Sequence, residues 1–459
     1  MISSKKLSIS FFIIILFSIF LLPHFKIIEN FPGIRIDDIL LPFIIAYMVI
    51  NKKNFINNHI KIIFLFIICI TISIIVNNRL GYYRDYYEIL KVLKFAIYIL
   101  FFSTLYIEEN YLYKLFKFIF IIVCIFNIFQ YFNIFSFNEI IEIYYSPSHH
   151  LAFHGLDSAG NKATIRLLGT MGNPNNNAIL FLFFIIFFMP KSISDPKETK
   201  YLYFIAILGS MYSQSRTAFI ILVIVLIIHL VLKFSIIKKH YIVFSCFFLL
   251  LLVNLKYGDL AYLNSLKESK VAINEASDID EAHINKARRD GRSTNRDDVS
   301  KVSQDTNLIG EKMKETENQS FLLKTNNSSL QVRFEIWQRL ITMIKQKPLL
   351  GHGPNKEYFY NNELYAENEY VLITWRYGLI GLFVFLAMIL SPLILSFKFI
   401  KSDEYMQLSL YILVIIITAF TNTPLSEPSL LLLLAFFIGR LFLKINIEKK
   451  NEKEAFVNF

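Results

Sequence analysis

The chain has 459 residues, 55% of them hydrophobic and 16% aromatic, with a net charge of +11 and a mean hydropathy of +0.48. Those values lie outside the range of ordinary soluble domains and mark a membrane protein. The positive charge reads as anchoring to an anionic leaflet, and nothing calls for a nucleic-acid partner.

Apolar stretches long enough to cross a hydrocarbon core of about 30 Å predict an all-α polytopic membrane protein with about twelve transmembrane helices. They fall at 7–22, 36–50, 62–76, 89–106, 114–137, 174–189, 201–213, 217–232, 241–254, 369–397, 407–423 and 429–443. The first follows Lys5 and Lys6 and runs into "LLPHFKIIEN", which lacks the small-residue pattern of a cleaved signal, so it counts as a span. Short loops assigned to the inner side are rich in lysine, among them Lys52, Lys53, Lys61, Lys191, Lys197, Lys238 and Lys239. Loops on the other side carry fewer basic residues, and this asymmetry predicts that both termini are cytoplasmic. The expected organisation is an N-terminal bundle of about nine spans over 1–254, a large outer loop over 255–368, three spans over 369–443 and a cytoplasmic tail over 444–459. Cys69, Cys124 and Cys246 all fall inside predicted spans and read as small apolar residues.

Polar patches interrupt this pattern. Lys91 and Lys94 lie three apart at the mouth of the fourth span. Each would cost about 2.5–3.5 kcal/mol at mid-membrane, so they should reach the interface or pair with Asp85 or Glu88. "HHLAFH" places His149, His150 and His154 near Asp157, but Pro147, Gly155 and Gly160 mark a loop rather than a helix able to hold zinc. In "GTMGNPNNNA", Asn173 precedes Pro174; proline suits the first helical position and asparagine caps it, so a span starts there. Its free backbone donors, with Asn175 and its neighbours in the first turn, suit an anion or a sugar as well as a plain cap. "SQSRTAF" forms the turn between the seventh and eighth spans, with Arg216 at a helix start where the dipole does not favour a cation.

Within the large loop, the charged stretch after 255 has no apolar periodicity and is expected to be disordered or weakly helical. Then "SLQVRFEIWQRLITMIKQKP" repeats Val332, Ile336, Leu340 and Met343 at helical spacing, predicting a surface helix near 331–347 that Pro348 stops. Arginines, including Arg35, Arg79, Arg84, Arg166, Arg216, Arg333 and Arg339, map to the outer side, with Arg376 about two turns into the tenth span; Arg440 alone maps to the inner end. Guanidinium forks bind phosphate oxygens in pairs, so an outer phosphate or pyrophosphate ligand is the sharpest reading.

In this order, "GTMGNPNNNA", "SQSRTAF", "RFEIWQRLITMIKQKPLLGHGP" and "ENEYVLITWRYGLIGL" resemble the O-antigen polymerase and O-antigen ligase superfamily of bacterial inner membranes. The resemblance implies a glycosyltransferase acting at the periplasmic face, making the large loop periplasmic, with no cofactor, nucleotide sugar or required metal. Its donor would be an oligosaccharide on undecaprenyl pyrophosphate, with a chain-length regulator as a further candidate partner. The acceptor would be another lipid-linked repeat unit for a polymerase, or lipid A core for a ligase. Family ligases usually carry a histidine beside the asparagine that opens the span after the large loop. Here that position reads Glu367, Asn368, Glu369, which favours polymerase, while His352 in "GHGP" keeps the ligase alternative open.

On this reading Arg166, Arg216 and Arg333 would stabilise the leaving pyrophosphate, and Glu367 would be the first candidate general base, followed by Glu369 and His352. Asn173, Asn175 and Asn368 would orient sugar hydroxyls, and Arg339, Arg376, Lys91 and Lys94 complete the expected binding set. A flippase or transporter of the lipid-linked unit is the rival from another class, but no paired halves are visible in the sequence.

Overall fold

A computed structural model describes residues 4–23, 33–50, 58–145, 165–191, 196–232, 329–362, 364–397 and 403–457. The chain divides into two compact units: Met1–Lys238 with Trp337–Phe459, and Lys239–Ile336. Of the second, the described part is the start of one helix. The predicted span at 241–254, the charged stretch after 255, and His149, His150 and His154 lie outside the described residues.

Regular structure among the described residues is helical: α1 (Ser4–Phe20), α2 (Ile36–Ile50), α3 (Asn58–Val76), α4 (Tyr86–Thr104), α5 (Glu109–Phe132), α6 (Phe137–Tyr144), α7 (Pro174–Phe187), α8 (Lys197–Tyr212), α9 (Arg216–Leu232), α10 (Ser329–Gln346), α11 (Lys356–Asn361), α12 (Glu369–Phe397), α13 (Asp403–Thr418) and α14 (Pro428–Val457). Each predicted span within the described residues overlaps one of these helices, but 407–423 runs past the end of α13 at Thr418 into a turn and 114–137 past the end of α5 at Phe132. Four stretches, Asn58–Val76, Glu109–Phe132, Glu369–Phe397 and Pro428–Glu448, are long and apolar enough to cross a membrane. Helices α1, α7, α9 and α13 are apolar but shorter. The molecule is therefore an integral membrane protein in which four helices, rather than about twelve, meet that length criterion among the described residues.

Helix α7 explains how a run of asparagines can head an apolar segment. Its 14 residues span about 21 Å, and every residue from Asn177 to Ile186 is buried. A helix apolar all round belongs in the interior of a bundle, and α7 packs against α8, α9 and α13. Phe183 and Phe184 meet Phe20 at centroid distances of 5.3 and 5.4 Å, and Phe120 lies 4.8 Å from Phe184. Asn173 caps the helix in extended backbone, its side-chain oxygen accepting from the Asn175 and Asn176 amides at 2.9 and 3.3 Å. Asn173→Ala should therefore cost about 1 kcal/mol of stability, read as a lower midpoint of thermal unfolding in detergent, with Asn173→Asp close to wild type.

Antiparallel succession places alternate helix ends together in the first unit. The start of α7 shares its end of the bundle with the C-terminal ends of α3, α5, α8 and α13 and the N-terminal ends of α4, α9, α12 and α14; we call this the Asn173 end. At the opposite, Lys444 end, Gln407 Nε2 donates to the Ile186 carbonyl at 2.9 Å, Tyr113 and Thr199 hydroxyls meet at 2.9 Å, and Lys444 lies 3.5 Å from Glu109.

The longest apolar stretch is not one continuous helix. Within α12, Gly378 adopts φ 68°, ψ −170°, which breaks the ladder. The turn after α10 supplies the missing partners: Leu379 N–H donates to the Pro348 carbonyl at 2.8 Å and Ile380 N–H to Leu349 at 3.3 Å. In return His352 and Gly353 amides donate to the Trp375 and Arg376 carbonyls at 2.9 and 2.8 Å. Ser73 and Asn77 at the end of α3 tie down the same turn, reaching the carbonyls of Leu350 and Gly351 at 2.7 and 3.0 Å. Irregular backbone in a membrane helix is tolerated where protein satisfies its polar groups, and here the Pro348–Gly353 segment does so.

On α10, Leu340 is buried and Trp337 and Ile344 are half-buried, while Glu335, Gln338, Arg339, Thr342 and Lys345 are exposed. This is the two-sided pattern expected of its spacing; Ile341 departs from it and is exposed.

Candidate functional site

Polar side chains at the Asn173 end form three groups. In the first, Glu88 at the start of α4 is 4% exposed and gathers three cations. Lys91 Nζ lies 2.8 Å from one carboxylate oxygen, and Lys356 Nζ and Arg376 Nη1 lie 3.0 and 3.5 Å from the other. The Arg376 guanidinium stands 5.1 Å above the Phe359 ring. Its Nε is buried and has no hydrogen-bond partner among the described residues. Asp85 fastens this group to the chain around it, pairing with Arg79 and accepting from the Lys356 amide at 3.0 Å.

Glu369, 2% exposed at the first turn of α12, lies beside this group, near enough to Lys91, Arg376 and Glu88 for their charges to act on it. Its oxygens accept from the Leu425 amide and the Ser426 hydroxyl, each at 3.2 Å. Three cations face two carboxylates here, leaving an excess of positive charge in a largely buried setting where charge interactions are strong.

The second group is centred on α7. Asn177, fully buried, donates to Asn127 Oδ1 at 2.9 Å, the Leu167 carbonyl at 3.1 Å and Ser213 Oγ at 3.2 Å. Polar side chains join helices in this way where lipid offers no hydrogen bonds. Gly169 packs so closely on Asn177 that an added Cβ would lie 2.1 Å from its oxygen, and Gly169 itself has φ +56°. Arg166 Nη2 donates to Asn175 Oδ1 at 3.3 Å.

The segment Ala419–Glu427, between α13 and α14, joins these two groups. Glu369 N–H donates to the Ala419 carbonyl at 2.8 Å and Asn368 Nδ2 to Phe420 at 3.0 Å. Asn422 Nδ2 reaches Asn176 Oδ1 at 3.3 Å, and Thr421 and Thr217 hydroxyls meet at 2.8 Å. Thus "TNTPLSEP", which sequence reasoning passed over, connects the asparagine turn, the start of α9 and the start of α12. Its signal was available: a polar, proline-containing turn between two apolar segments on the same side as the other patches.

The third group corrects an expectation. Lys94 does not pair with Asp85 or Glu88; it pairs with Asp37 and Asp38 at the start of α2. Arg35 pairs with Asp37 at 2.8 Å and also bonds Ser429 and the Ser18 carbonyl, and Tyr98 donates to the Asp37 carbonyl at 2.8 Å. Lys91 and Lys94 lie about 60° apart on the helix wheel, and that offset accompanies the pairing of Lys94 with α2 while Lys91 stays with Glu88.

The remaining predicted residues have distinct surroundings. Asn368 is buried and caps α12, accepting from the Val371 amide at 3.0 Å. His352 stacks on Trp375 at 6.2 Å and points Nε2 at the Met343 carbonyl, 2.8 Å away, so its ring holds the Pro348–Gly353 turn in place. Glu367 is half-buried in the bend before α12, with φ +43°. Arg216 opens α9 and is exposed, as is Arg339 on α10, whereas Arg333 on α10 is half-buried.

Residues 201–386 match a family model described as O-antigen ligase. No curated protein matches the chain. The matched stretch runs from α8 into α12 and includes Arg216, Arg333, Arg339, His352, Glu367, Asn368, Glu369 and Arg376, while Lys91, Lys94, Arg166, Asn173 and Asn175 precede it.

Proposed function

We propose, from the match of residues 201–386 to the O-antigen ligase family model, whose members are glycosyltransferase-like enzymes, that the chain is an O-antigen polymerase joining undecaprenyl-pyrophosphate-linked repeat units. The Asn173 end would face the periplasm of a bacterial inner membrane, with both termini in the cytoplasm. The observation that carries the reading is the convergence of Lys91, Lys356 and Arg376 on Glu88, beside Glu369, with a buried Arg376 Nε left without a partner among the described residues.

In the proposed reaction, the bond from the donor sugar's anomeric carbon to its phosphate oxygen breaks, and a bond from the acceptor hydroxyl oxygen to that carbon forms. The pyrophosphate leaves on its lipid carrying new negative charge, and the acceptor proton passes to a carboxylate. Arg376 and Lys91 would meet that charge from the α4–α12 side, with Arg166 and Arg216 on the α7–α9 side and Arg339 on α10. Fixed cations in a partly dry site stabilise such charge at little reorganisation cost. Glu367 remains the preferred base, and both oxygens of Glu369 accept hydrogen bonds from Leu425 and Ser426. Glu369 is better suited to hold the two polar groups together. Asn173, Asn175 and Asn368 would orient sugar hydroxyls, although Asn173 and Asn368 already serve as caps. No cofactor or metal enters this scheme.

The polymerase reading over ligase rests on Glu367-Asn368-Glu369 standing where ligases usually carry histidine, and on His352 being engaged with Met343 and Trp375. Purified protein reconstituted with lipid-linked repeat units should yield a ladder of products. Transfer to lipid A core with no ladder would instead establish a ligase, and movement of lipid-linked units across the bilayer with no new glycosidic bond would establish a transporter. Within the ladder assay, Glu367→Gln should slow transfer about 10²-fold or more while donor binding persists; an unchanged rate removes Glu367 as the base.

A further inference from the structure

Tyr377 follows Arg376 on α12, immediately before the break at Gly378, and is 1% exposed. Its ring meets Phe66 of α3 edge-on at a centroid distance of 5.6 Å, and Gly381 packs so closely on it that an added Cβ would lie 2.2 Å from the Tyr377 Cβ. The hydroxyl is buried and has no hydrogen-bond partner among the described residues, and the same holds for Arg376 Nε. Two buried donors on consecutive residues, each near enough for the other's charge to act on it, are thus left open together. Buried donors are seldom left open in a folded chain, and each such group calls for an explanation.

The surroundings of the Tyr377 hydroxyl supply that explanation. Glu88, Asp85 and Glu369 lie near enough for their charges to act on it, as Arg376 does. Yet each carboxylate is engaged elsewhere: Glu88 with Lys91 and Lys356, Asp85 with Arg79 and the Lys356 amide, Glu369 with Leu425 and Ser426. Tyr411 also keeps an unpartnered hydroxyl, but it lies among rings, with Phe183 and Phe437 at 5.8 and 4.4 Å. An open hydroxyl in an apolar core is only an unmet cost, whereas one beside a group of fixed cations is a donor held ready for an anion.

We propose that Tyr377 contacts the donor substrate, its hydroxyl and Arg376 Nε donating together to one oxygen of the lipid-linked diphosphate. The identity of that ligand rests on the proposed glycosyl transfer. A negatively charged oxygen is the acceptor that a guanidinium, a phenol and the nearby Lys91 and Lys356 favour together, whereas a sugar hydroxyl would gain little from the cations. Tyr377 keeps its proton throughout, and its hydrogen bond strengthens as the bond from sugar to phosphate breaks and charge builds on the diphosphate. The same pair of donors would serve a polymerase or a ligase, since both release a lipid diphosphate.

Three measurements on the full-length protein test this: the unfolding midpoint without ligand, binding of undecaprenyl pyrophosphate and of inorganic pyrophosphate in detergent, and kinetics in the reconstituted ladder assay. Tyr377→Phe keeps the ring and removes a hydroxyl that bonds nothing in the protein, so the midpoint without ligand should not fall. Binding of undecaprenyl pyrophosphate should weaken about tenfold, the loss of a hydrogen bond to a charged group. The kcat for ladder formation should fall about 10²-fold, more than KM rises. Combined with Arg376→Gln, it should lose less than the product of the two single losses, because both donors act on one oxygen. Tyr370→Phe removes a hydroxyl on the same helix that donates to the Ile416 carbonyl at 2.8 Å, and should show the reverse pattern, a lower midpoint with unchanged binding. A lower midpoint for Tyr377→Phe with wild-type binding and turnover would make its hydroxyl structural and overturn the contact while leaving the transfer reading intact. No ladder from the wild type, with Tyr377→Phe still weakening diphosphate binding, would sink the transfer reading and leave the contact standing. Inorganic pyrophosphate bound as tightly as the lipid form would overturn the lipid-linked donor as the ligand.

Discussion

Gly378→Ala is expected to leave little correctly folded protein. The backbone there has φ 68° and ψ −170°, a region essentially confined to glycine. An added Cβ would lie 2.1 Å from the Leu349 carbonyl oxygen, a backbone atom that cannot rotate away. Relief would require the turn to retreat, and the turn is held by Leu379 N–H on Pro348, Gly353 N–H on Arg376 and Ser73 Oγ on Leu350 at 2.8, 2.8 and 2.7 Å. Inside a bilayer each polar group so released would cost several kcal/mol. Expression followed by size-exclusion chromatography should show a collapse in monodisperse protein. Gly81→Ala, where an added Cβ meets nothing within 4 Å, should elute as wild type. A normal yield and unfolding midpoint for Gly378→Ala would show that the break in α12 is not needed for folding.

Arg376→Gln is the second large effect, and it bears on chemistry. Removing a lone partner from a buried ion pair commonly costs 3–5 kcal/mol because a charge is stranded. Here Glu88 keeps Lys91 at 2.8 Å and Lys356 at 3.0 Å, so the carboxylate remains paired and the fold should survive. Loss of a fixed donor for developing charge lowers turnover by about 10²–10³-fold in comparable sites. In the reconstituted ladder assay, Arg376→Gln should therefore insert and elute normally yet form product slower by that factor. Arg376→Lys should recover only part of the rate, since an ammonium lacks the planar fork. Wild-type turnover in Arg376→Gln would make Arg376 a structural cation and remove the observation on which the proposed function rests.

How far these features were readable depends on the range of the interaction behind each one. The start of α7 was legible because capping is local: Asn173, Pro174 and the amides of Asn175 and Asn176 are neighbours along the chain. The two faces of α10 were legible for the same reason, as Leu340 and Lys345 follow from a 3.6-residue period. Lys91 with Glu88, three residues apart on one helix, was also within reach. Asn177 was visible as one more asparagine in a run, but its contacts with Asn127 and Ser213 require α5 and α8 to be placed first.

Local chemistry along the chain was thus sufficient to mark the helices, their alternating direction and the cap at Asn173. Tertiary packing alone decided that Lys94 goes to Asp37 and Asp38, that Ala419–Glu427 ties Asn176 to Glu369, and that the turn after Pro348 fills the gap at Gly378. Periodicity and capping act over a few residues of one segment, whereas a buried charge or an open carbonyl is satisfied by whichever segment the folded bundle brings within about 3 Å, and no spacing along the chain encodes that neighbour.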